Sequence, residues 1–319
     1  MKKVLVSGAG GYVGSIMCEE LLKRNYEVYA LDRFYFDESI FKGIDIVIDL
    51  AGLSNDATAE IDPKFTQEIN CDGSIRLAKL SKKLGVKQYI YSSSASVYGA
   101  GLKSSLKEVE ELNPITAYAK SKVLVEEELL TLNNGKNFSI TLLRNSTIYG
   151  LSPRMRFDLA INIMSLCGWR DGVVYIMGDG EQWRPFIHVR DVVNAFLLCL
   201  EKPKLSSGQI FNVGSNEQNF KIKSIATQVA SSLSNKPKII YVPDNPDKRT
   251  YNVNFDKINT VLGFKTNWTI KSGVKEIESA LVDGSLKSDD PTTHTLKWYH
   301  TLLDWHKKID DLLYNNKIL

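Results

Sequence analysis

Residues 7–14 read SGAGGYVG and directly follow the apolar run VLV at residues 4–6. Four glycines, Gly8, Gly10, Gly11 and Gly14, fall within seven positions. Glycine adopts backbone conformations that other residues resist, and it lets a ligand approach the main chain. At a helix N-terminus the unpaired amides and the helix dipole favour an anion such as a pyrophosphate. The stretch therefore predicts a strand, a phosphate-binding turn and a helix; a glycine turn that serves packing alone is the alternative.

Composition and charge are those of an ordinary globular chain. Of 319 residues, 43% are hydrophobic, and 40 Lys and Arg against 37 Asp and Glu leave a net charge of +3. This balance argues against nucleic acid or an anionic membrane surface as a partner. The four cysteines and four histidines show no metal-type spacing, so we predict no metal site. No signal peptide or membrane span is indicated, and we expect a cytoplasmic location with reduced cysteines.

The N-terminal half alternates short apolar runs with helical patterns, which is typical of βαβ units and an α/β fold with a parallel sheet. We predict strands at 3–8, 27–32, 45–52, 88–94 and 139–146, and helices at 13–24, 63–84 and 114–132. Mixed short elements follow residue 150, with strands in VVYIMGDG, FIHV and GQIFNVG and a helix in DVVNAFLLCLEK. The final stretch, 296–314, is one amphipathic helix. Its apolar side would face the core or a partner, and we expect the core.

Asp32 ends the second predicted strand, 24 residues after Gly8. A carboxylate at this place can accept hydrogen bonds from the adenosine ribose hydroxyls, and it would repel a 2′-phosphate. The pattern therefore indicates NAD rather than NADP. Arg33 follows directly, and its cation would soften that preference.

Two later stretches carry groups suited to acid–base chemistry. YSSSASVYG, at 91–99, ends the fourth predicted strand, and AYAKSK, at 117–122, lies on the helix that follows Asn113-Pro114. Tyr118 and Lys122 stand four apart and so share one helical face, which continues with apolar residues and should point inward. A nearby cation favours the phenolate and lowers the pKa of a tyrosine. Tyr118 is thus a candidate acid or base, and Ser94 lies where open α/β sheets bind ligands.

The order SGAGGYVG, Asp32, SSSASVYG, YAKSK and RPFIHVRDV resembles the extended short-chain dehydrogenase/reductase family, and within it the nucleotide-sugar epimerases and dehydratases. The resemblance covers nearly the whole chain. It implies a Rossmann-type doubly wound parallel sheet over 1–150 that binds NAD, with 183–214 returning to it. A smaller mixed α/β lobe over 151–319 would bind a nucleoside-diphosphate sugar. It also implies a homodimer formed through the helices at 63–84 and 114–132.

The resemblance assigns roles to individual residues. Tyr118 would be the acid and base, Lys122 would lower its pKa and bind the nicotinamide ribose, and Ser94 would hold the reacting oxygen. The cofactor-binding set is Gly8, Gly10, Gly11, Tyr12, Val13, Gly14, Asp32, Arg33, Leu50, Ala51, Gly52 and Asn70, with Tyr118 and Lys122. The substrate-binding set is Ser94, Ser96, Asn145, Thr147, Arg154, Arg184 and Arg249, where the arginines suit a diphosphate.

The residues after Ser94 bear on the reaction. Family members that are 4,6-dehydratases carry an Asp-Glu pair there, whereas this chain has Ala95-Ser96. Neither side chain can protonate a leaving hydroxyl or remove a C5 proton, so a 4-epimerase resembling those of UDP-glucose and UDP-galactose is the leading hypothesis. The alternatives are a sugar-nucleotide 4-dehydrogenase or reductase with net cofactor turnover, and, further away, a dehydratase or a catalytically dead regulator.

Two departures from the family's pattern concern ligand binding. Thr147 stands where many relatives have an asparagine that helps hold the substrate nucleotide. Residues 33–44 are too few for the helix and strand that relatives usually place after the Asp32 position. The adenine side of the cofactor site and the substrate's pose are therefore open, as are the identities of the sugar and the base.

Overall fold

Six parallel strands form the central sheet. This computed structural model describes residues 1–32, 36–54, 59, 61–100, 105–243, 247, 249–314 and 317–318. The six strands are β1 (Lys3–Ser7), β2 (Glu27–Leu31), β3 (Ile46–Asp49), β4 (Gln88–Ser94), β5 (Ser139–Asn145) and β9 (Gln209–Val213). Across the sheet they follow the order β2-β1-β3-β4-β5-β9. Because they are parallel, their carboxyl ends meet at one edge, where ligands of such sheets bind. The predicted α/β fold with a Rossmann-type sheet is confirmed.

Helices cover both faces of this sheet. Side chains alternate between the faces, so Val4 and Val6 pack on one side while Leu5 packs on the other. The first face is covered by α1 (Tyr12–Lys23) and α6 (Val189–Glu201), and the second by α3 (Ser74–Lys83) and α4 (Ala117–Leu132). A short α2 (Pro63–Thr66) leads through a π-helical segment (Gln67–Gly73) into α3, where a single long helix was predicted. Asp62 caps α2, as its sequence predicts, by accepting from Phe65 N at 3.0 Å.

A smaller α/β lobe packs against the carboxyl edge of the sheet. One of its sheets has three strands, in the order β10 (Asn219–Lys221), β8 (Trp183–His188) and β6 (Thr147–Tyr149). The other is a parallel pair, β11 (Lys238–Val242) and β7 (Val173–Met177). Three of its helices, α5 (Ala160–Asp171), α8 (Ile222–Ser232) and α10 (Ile270–Val282), pack together around a separate apolar cluster. The other helices are α7 (Pro203–Ser206), α9 (Asp256–Leu262) and α11 (Thr295–Asp311), and a hairpin of β12 (Leu313–Tyr314) and β13 (Lys317–Ile318) follows α11.

The C-terminal helix α11 does not enter the core, so that expectation was wrong. None of its residues is buried, and Leu302, Leu303, Trp305 and Ile309 are exposed. The reason is that α1, α3, α4 and α6 already cover the apolar faces of the sheet. Only the start of α11 is held, through Thr295, whose hydroxyl donates to Asp158 Oδ1 at 3.2 Å.

The connection between β2 and β3 is short, as the sequence indicates. Its described part contains one 3-10 turn, Glu38–Phe41, and no strand lies outside β2 in the described part of the sheet. Phe36 packs on Phe41, with ring centroids 6.0 Å apart, and it also reaches the cleft described below.

Candidate functional site

A cleft of about 980 Å³ lies between the carboxyl edge of the sheet and the smaller lobe. Every sequence-predicted site residue that the structure describes lines it, with the exception of Asn70. The lining residues from the prediction are Gly8, Gly10, Gly11, Tyr12, Val13, Gly14, Asp32, Leu50, Ala51, Gly52, Ser94, Ser96, Tyr118, Lys122, Asn145, Thr147, Arg154, Arg184 and Arg249. Arg33 lies outside the described residues.

The glycine turn forms a cradle that fits a pyrophosphate. Gly11 is the N-cap of α1, no side chain caps this helix, and its first turn carries no acidic residue. Gly8 has φ of +68°, and a Cβ there would lie 2.9 Å from Ala51 N. A Cβ on Gly10 would lie 2.6 Å from the Asp32 carboxylate, so glycine leaves the space beside that carboxylate open. The helix N-terminus therefore stays available to an anion, with the Asp32 carboxylate beside it.

Gly14 offers a direct test of this cradle. A Cβ on Gly14 would collide with the Gly8 carbonyl oxygen and lie 2.9 Å from Ala9 Cα. We expect Gly14→Ala to lower the free energy of unfolding by about 1–3 kcal/mol, as overpacking does, and to weaken NAD binding. Calorimetric titration with NAD and thermal melting measure both effects. Gly135→Ala is the control for NAD binding: nothing lies within 4 Å of its Cβ position, but its φ of +66° strains an alanine and should cost about 1 kcal/mol of stability. An equal weakening of NAD binding in both variants would contradict the cradle.

Lys122 is buried in the floor of the cleft beneath Tyr118. Its Nζ donates to Ser92 O at 2.8 Å and lies 4.6 Å from the Tyr91 ring centroid and 5.6 Å from that of Tyr118. Burial lowers the pKa of Lys122 to about 8, while the charges of Asp49 and Glu126 oppose that shift. The ammonium and the phenol are thus neighbours on one helical face, as their spacing predicts.

Two buried carboxylates support this lysine. Asp49, at the end of β3, accepts from Ser7 Oγ at 2.5 Å and from Tyr89 Oη at 2.6 Å. Glu126, one turn after Lys122, pairs with Arg144 through Oε2 and Nη2 at 2.6 Å, and both side chains are 3% exposed. Both carboxylates are held by fixed donors, and their negative charges favour the charged form of the Lys122 amine.

The pH dependence of the reaction should follow Lys122. If charged Lys122 holds the Tyr118 phenolate, activity is lost as pH rises through the lysine's pKa, so we expect kcat/KM to fall above about pH 8. Arginine stays protonated up to about pH 12. The activity that remains in Lys122→Arg should therefore not fall above about pH 8. Initial rates from pH 6 to 10 test this, and the same descending limb in both proteins would contradict it.

Ser94 lies at the end of β4, where its Oγ accepts from Ser96 N at 3.2 Å and its hydroxyl hydrogen remains available. Among the described residues, five buried side-chain atoms lack a hydrogen-bond partner, and three line the cleft: Ser96 Oγ, Asn145 Oδ1 and Gln182 Oε1. An unpaired buried polar group is costly. Three of them in one cleft indicate that a polar ligand completes their bonding.

The far end of the cleft carries what we call the Arg184 cluster, formed by Arg184, Asp247 and Arg249. Asp247 bonds Arg184 Nη2 at 2.9 Å and Arg249 Nε at 2.7 Å. Burial opposes ionisation of Asp247, but the two arginines outweigh it and hold its pKa below the usual range. The guanidinium groups of this cluster can bind a diphosphate.

Two predicted cofactor residues have structural contacts instead. Asn70 lies in the π-helical segment behind the cleft, where its amide accepts from Leu53 N at 2.7 Å and donates to Leu53 O at 3.1 Å. Tyr12 lines the cleft, yet its hydroxyl donates to Gly150 O at 2.5 Å and is buried. Asn70 holds the backbone of Leu53, which lines the cleft, and the Tyr12 hydroxyl is engaged by Gly150.

Several lining residues were missing from the predicted set. Asp49 interrupts the apolar run DIVIDLAG, and a charge inside a buried strand was a usable signal. Arg156 was visible in SPRMRFD as a second cation; its partner Asp158 lies in the same stretch, whereas its partner Ser54 comes from a distant segment. No sequence motif pointed to the other lining residues that were missed, which are Asp158, Gln182, Asp247, Thr295 and Tyr299.

Within the described ranges, no group of three or more His, Cys, Asp or Glu could hold a metal ion. No helix in the part of the chain that the structure describes has both the length and the apolar character to cross a bilayer.

Known proteins share this architecture. The chain is 26% identical to the UDP-glucose 4-epimerase of Mycolicibacterium smegmatis, over 85% of this chain and 96% of that protein. It is 27% identical to a UDP-N-acetyl-alpha-D-glucosaminuronate decarboxylase of Bacillus cytotoxicus, over 76% and 84%. MoeE5, solved in complex with UDP-glucuronic acid and NAD, matches with a TM-score of 0.80 and 25% identity, over 89% of this chain and 100% of that one. Residues 4–214 match the model of the NAD dependent epimerase/dehydratase family. The chain therefore belongs to this family, and the predicted cofactor, NAD, is confirmed.

Proposed function

We propose that this protein is an NAD-dependent epimerase of a nucleoside-diphosphate sugar that inverts the configuration at C4. The observation that carries the proposal is the composition of the catalytic wall. Ser94, Tyr118 and Lys122 line one cleft, and the positions after Ser94 hold Ala95 and Ser96. Tyr118, with Ser94 and Lys122, can move one proton at a sugar hydroxyl. Ala95 and Ser96 offer no acid or base for the elimination of water.

The reaction begins with the sugar hydroxyl held at Tyr118. Tyr118 takes the hydroxyl proton, the C4–O bond becomes a carbonyl, and the C4 hydrogen leaves as hydride. Bound NAD would supply the hydride acceptor for this step and the hydride donor for its reversal. After the keto sugar has turned in the cleft, hydride arrives at the opposite face of C4 and Tyr118 gives the proton back to the oxygen. The result is an inverted hydroxyl with no net oxidation.

Neighbouring residues prepare Tyr118 for both steps. The Lys122 ammonium, 5.6 Å from the ring centroid, favours the phenolate and so strengthens Tyr118 as a base. The Ser94 hydroxyl donates to the sugar oxygen and keeps it near Tyr118. The Arg184 cluster binds the diphosphate, which anchors the nucleotide while the hexose turns. Asn145 and Thr147, with Ser96, line the space between these two sites.

Proton NMR of the purified protein with UDP-, GDP-, dTDP- and CDP-sugars, without added cofactor, tests the reaction. We expect new anomeric signals from the C4 stereoisomer of one substrate, because an epimerase recycles its NAD. Conversion only after NAD or NADH is supplied would instead establish a dehydrogenase or reductase. UDP-glucuronic acid belongs in the panel because one relative is a decarboxylase; appearance of a pentose and loss of CO₂ would contradict epimerisation.

We also propose a homodimer formed through α3 and α4. These helices pack together, and the exposed Leu124 and Leu130 of α4 support an apolar contact with a second copy. Light scattering at working concentration should give twice the mass of the 35.9 kDa chain. A monomer at that concentration would contradict the proposal.

A further inference from the structure

The cleft has a second arginine–aspartate group, which we call the Arg156 cluster: Arg154, Arg156 and Asp158. Arg156 is 8% exposed, and its Nε and Nη2 bind the two Asp158 oxygens at 3.2 and 2.5 Å. Like the Arg184 cluster, it combines two arginines with one aspartate. Lys122 and these four arginines are the cations among the described residues that line the cleft. Two such clusters in one cleft suit two diphosphates.

The Arg156 cluster lies beside the glycine turn. The segment that leads to it is fixed on the start of α1, because Ser152 Oγ donates to Tyr12 O at 2.7 Å and lies 3.2 Å from Ser15 Oγ. Arg156 Nη1 donates to Ser54 Oγ at 2.5 Å, and Ser54 directly follows the cofactor-side residues 50–53. The sequence alone had grouped Arg154 with the sugar-nucleotide residues, whereas the contacts of its segment are with the start of α1, directly after the glycine turn.

The start of α11 closes the same end. Arg154 Nη1 donates to Thr292 O, just before the helix, and Phe157 N donates to Thr293 O at 2.7 Å. Thr295 and Tyr299, four apart and so on one helical face, both line the cleft. Burial raises the pKa of Tyr299, the charges of Arg156 and Arg154 lower it, and the charge of Asp32 raises it. Tyr299 therefore lies in the same part of the cleft as Arg154, Arg156 and Asp32, within reach of their charges.

A charge argument explains why such a wall is needed. A dinucleotide's pyrophosphate carries two negative charges, and the N-terminus of α1 supplies only about half a positive charge. Residues 7–14 contain no lysine or arginine. Side chains that reach the glycine turn can supply further positive charge, and the segment anchored to Tyr12 and Ser15 carries two arginines.

We propose that Arg154 and Arg156 bind the pyrophosphate of NAD from the side opposite the glycine turn, and that Tyr299 covers its adenosine ribose, so that this wall retains the cofactor between turnovers. The inference rests on the proposed function, because an epimerase must keep the same NAD through both hydride transfers. It divides the four arginines into a cofactor pair and a substrate pair, which the sequence does not do.

Calorimetric titration of the full chain, freed of bound nucleotide, with NAD and separately with UDP tests this division. We expect Arg154→Gln to weaken NAD binding about 10- to 100-fold, as loss of a charge-assisted hydrogen bond implies, and to leave UDP binding within about twofold. Arg249→Gln is the matched control and should show the reverse. Weaker UDP binding with unchanged NAD binding in Arg154→Gln, or no change for either ligand, would overturn the inference.

A second measurement covers the case in which Arg154→Gln does not fold. Stopped-flow release of NADH should be faster in Tyr299→Ala than in Tyr299→Phe, which keeps the ring over the ribose. Equal release from wild type and Tyr299→Ala would show that α11 does not retain the cofactor. None of these readouts depends on turnover, so failure of the sugar panel would reject the proposed reaction and leave this test unaffected.

Discussion

Replacing Tyr118 with phenylalanine is expected to lower kcat by about 10²- to 10⁴-fold, the contribution of a positioned acid or base. The ring stays in place over Lys122, 5.6 Å from its Nζ, so the cleft and NAD binding should be preserved. The rate of stereoisomer formation by NMR, with NAD bound at saturation, measures the effect.

The control for Tyr118→Phe is Tyr241→Phe, which removes the same hydroxyl from an exposed residue of β11. Its kcat should equal that of the wild type. Undiminished turnover in Tyr118→Phe would reject Tyr118 as the acid and base. A loss of NAD binding in step with turnover would show that the hydroxyl holds the cofactor and does not transfer the proton.

Removing the charge of Glu126 should cost about 3–5 kcal/mol of unfolding free energy, because it leaves the Arg144 guanidinium buried without its counter-ion. Both side chains are 3% exposed, and Ser93 Oγ also donates to Glu126 Oε1 at 2.5 Å. Denaturant unfolding of Glu126→Gln measures the loss. The variant should also lower the pKa of Lys122 further, since the Glu126 charge raises it.

Two comparisons separate the charge effect from a general effect of substitution. Glu127 is the next residue on α4 and is exposed, so Glu127→Gln should change stability by less than about 0.5 kcal/mol. The double variant Glu126→Leu with Arg144→Met should recover much of the loss, since apolar groups replace a buried pair without stranding a charge. A double variant as unstable as Glu126→Gln would contradict the electrostatic explanation.

Much of the site was predictable because its signals are local. The glycine turn, Asp32 at the end of β2, Ser94 at the end of β4 and the Tyr118–Lys122 spacing each lie on a single element. Parallel strands bring their carboxyl ends to one edge, so local patterns at strand ends become neighbours in space. This rule is why separate motifs predicted one cleft.

The parts that sequence did not predict depend on contacts between distant segments. Arg156 acquires its position from Ser54, and Tyr299 reaches the Asp32 end of the cleft from the C-terminal helix. The error over α11 has another origin. Amphipathic spacing shows that one face of a helix is apolar, but it does not show whether the protein has a free surface left to cover that face. Here other helices already occupy the faces of the sheet.

The late arrival of β9 affects how the chain can fold during synthesis. Its residues, Gln209–Val213, pair with β5, and the cover of one sheet face by α6 also comes from this later part of the sequence. Until they emerge from the ribosome, β5 is an open edge whose unpaired amides and carbonyls can recruit another chain. A nascent or truncated product that stops near residue 150 would therefore be prone to aggregation and to chaperone capture, even though it contains the whole glycine turn.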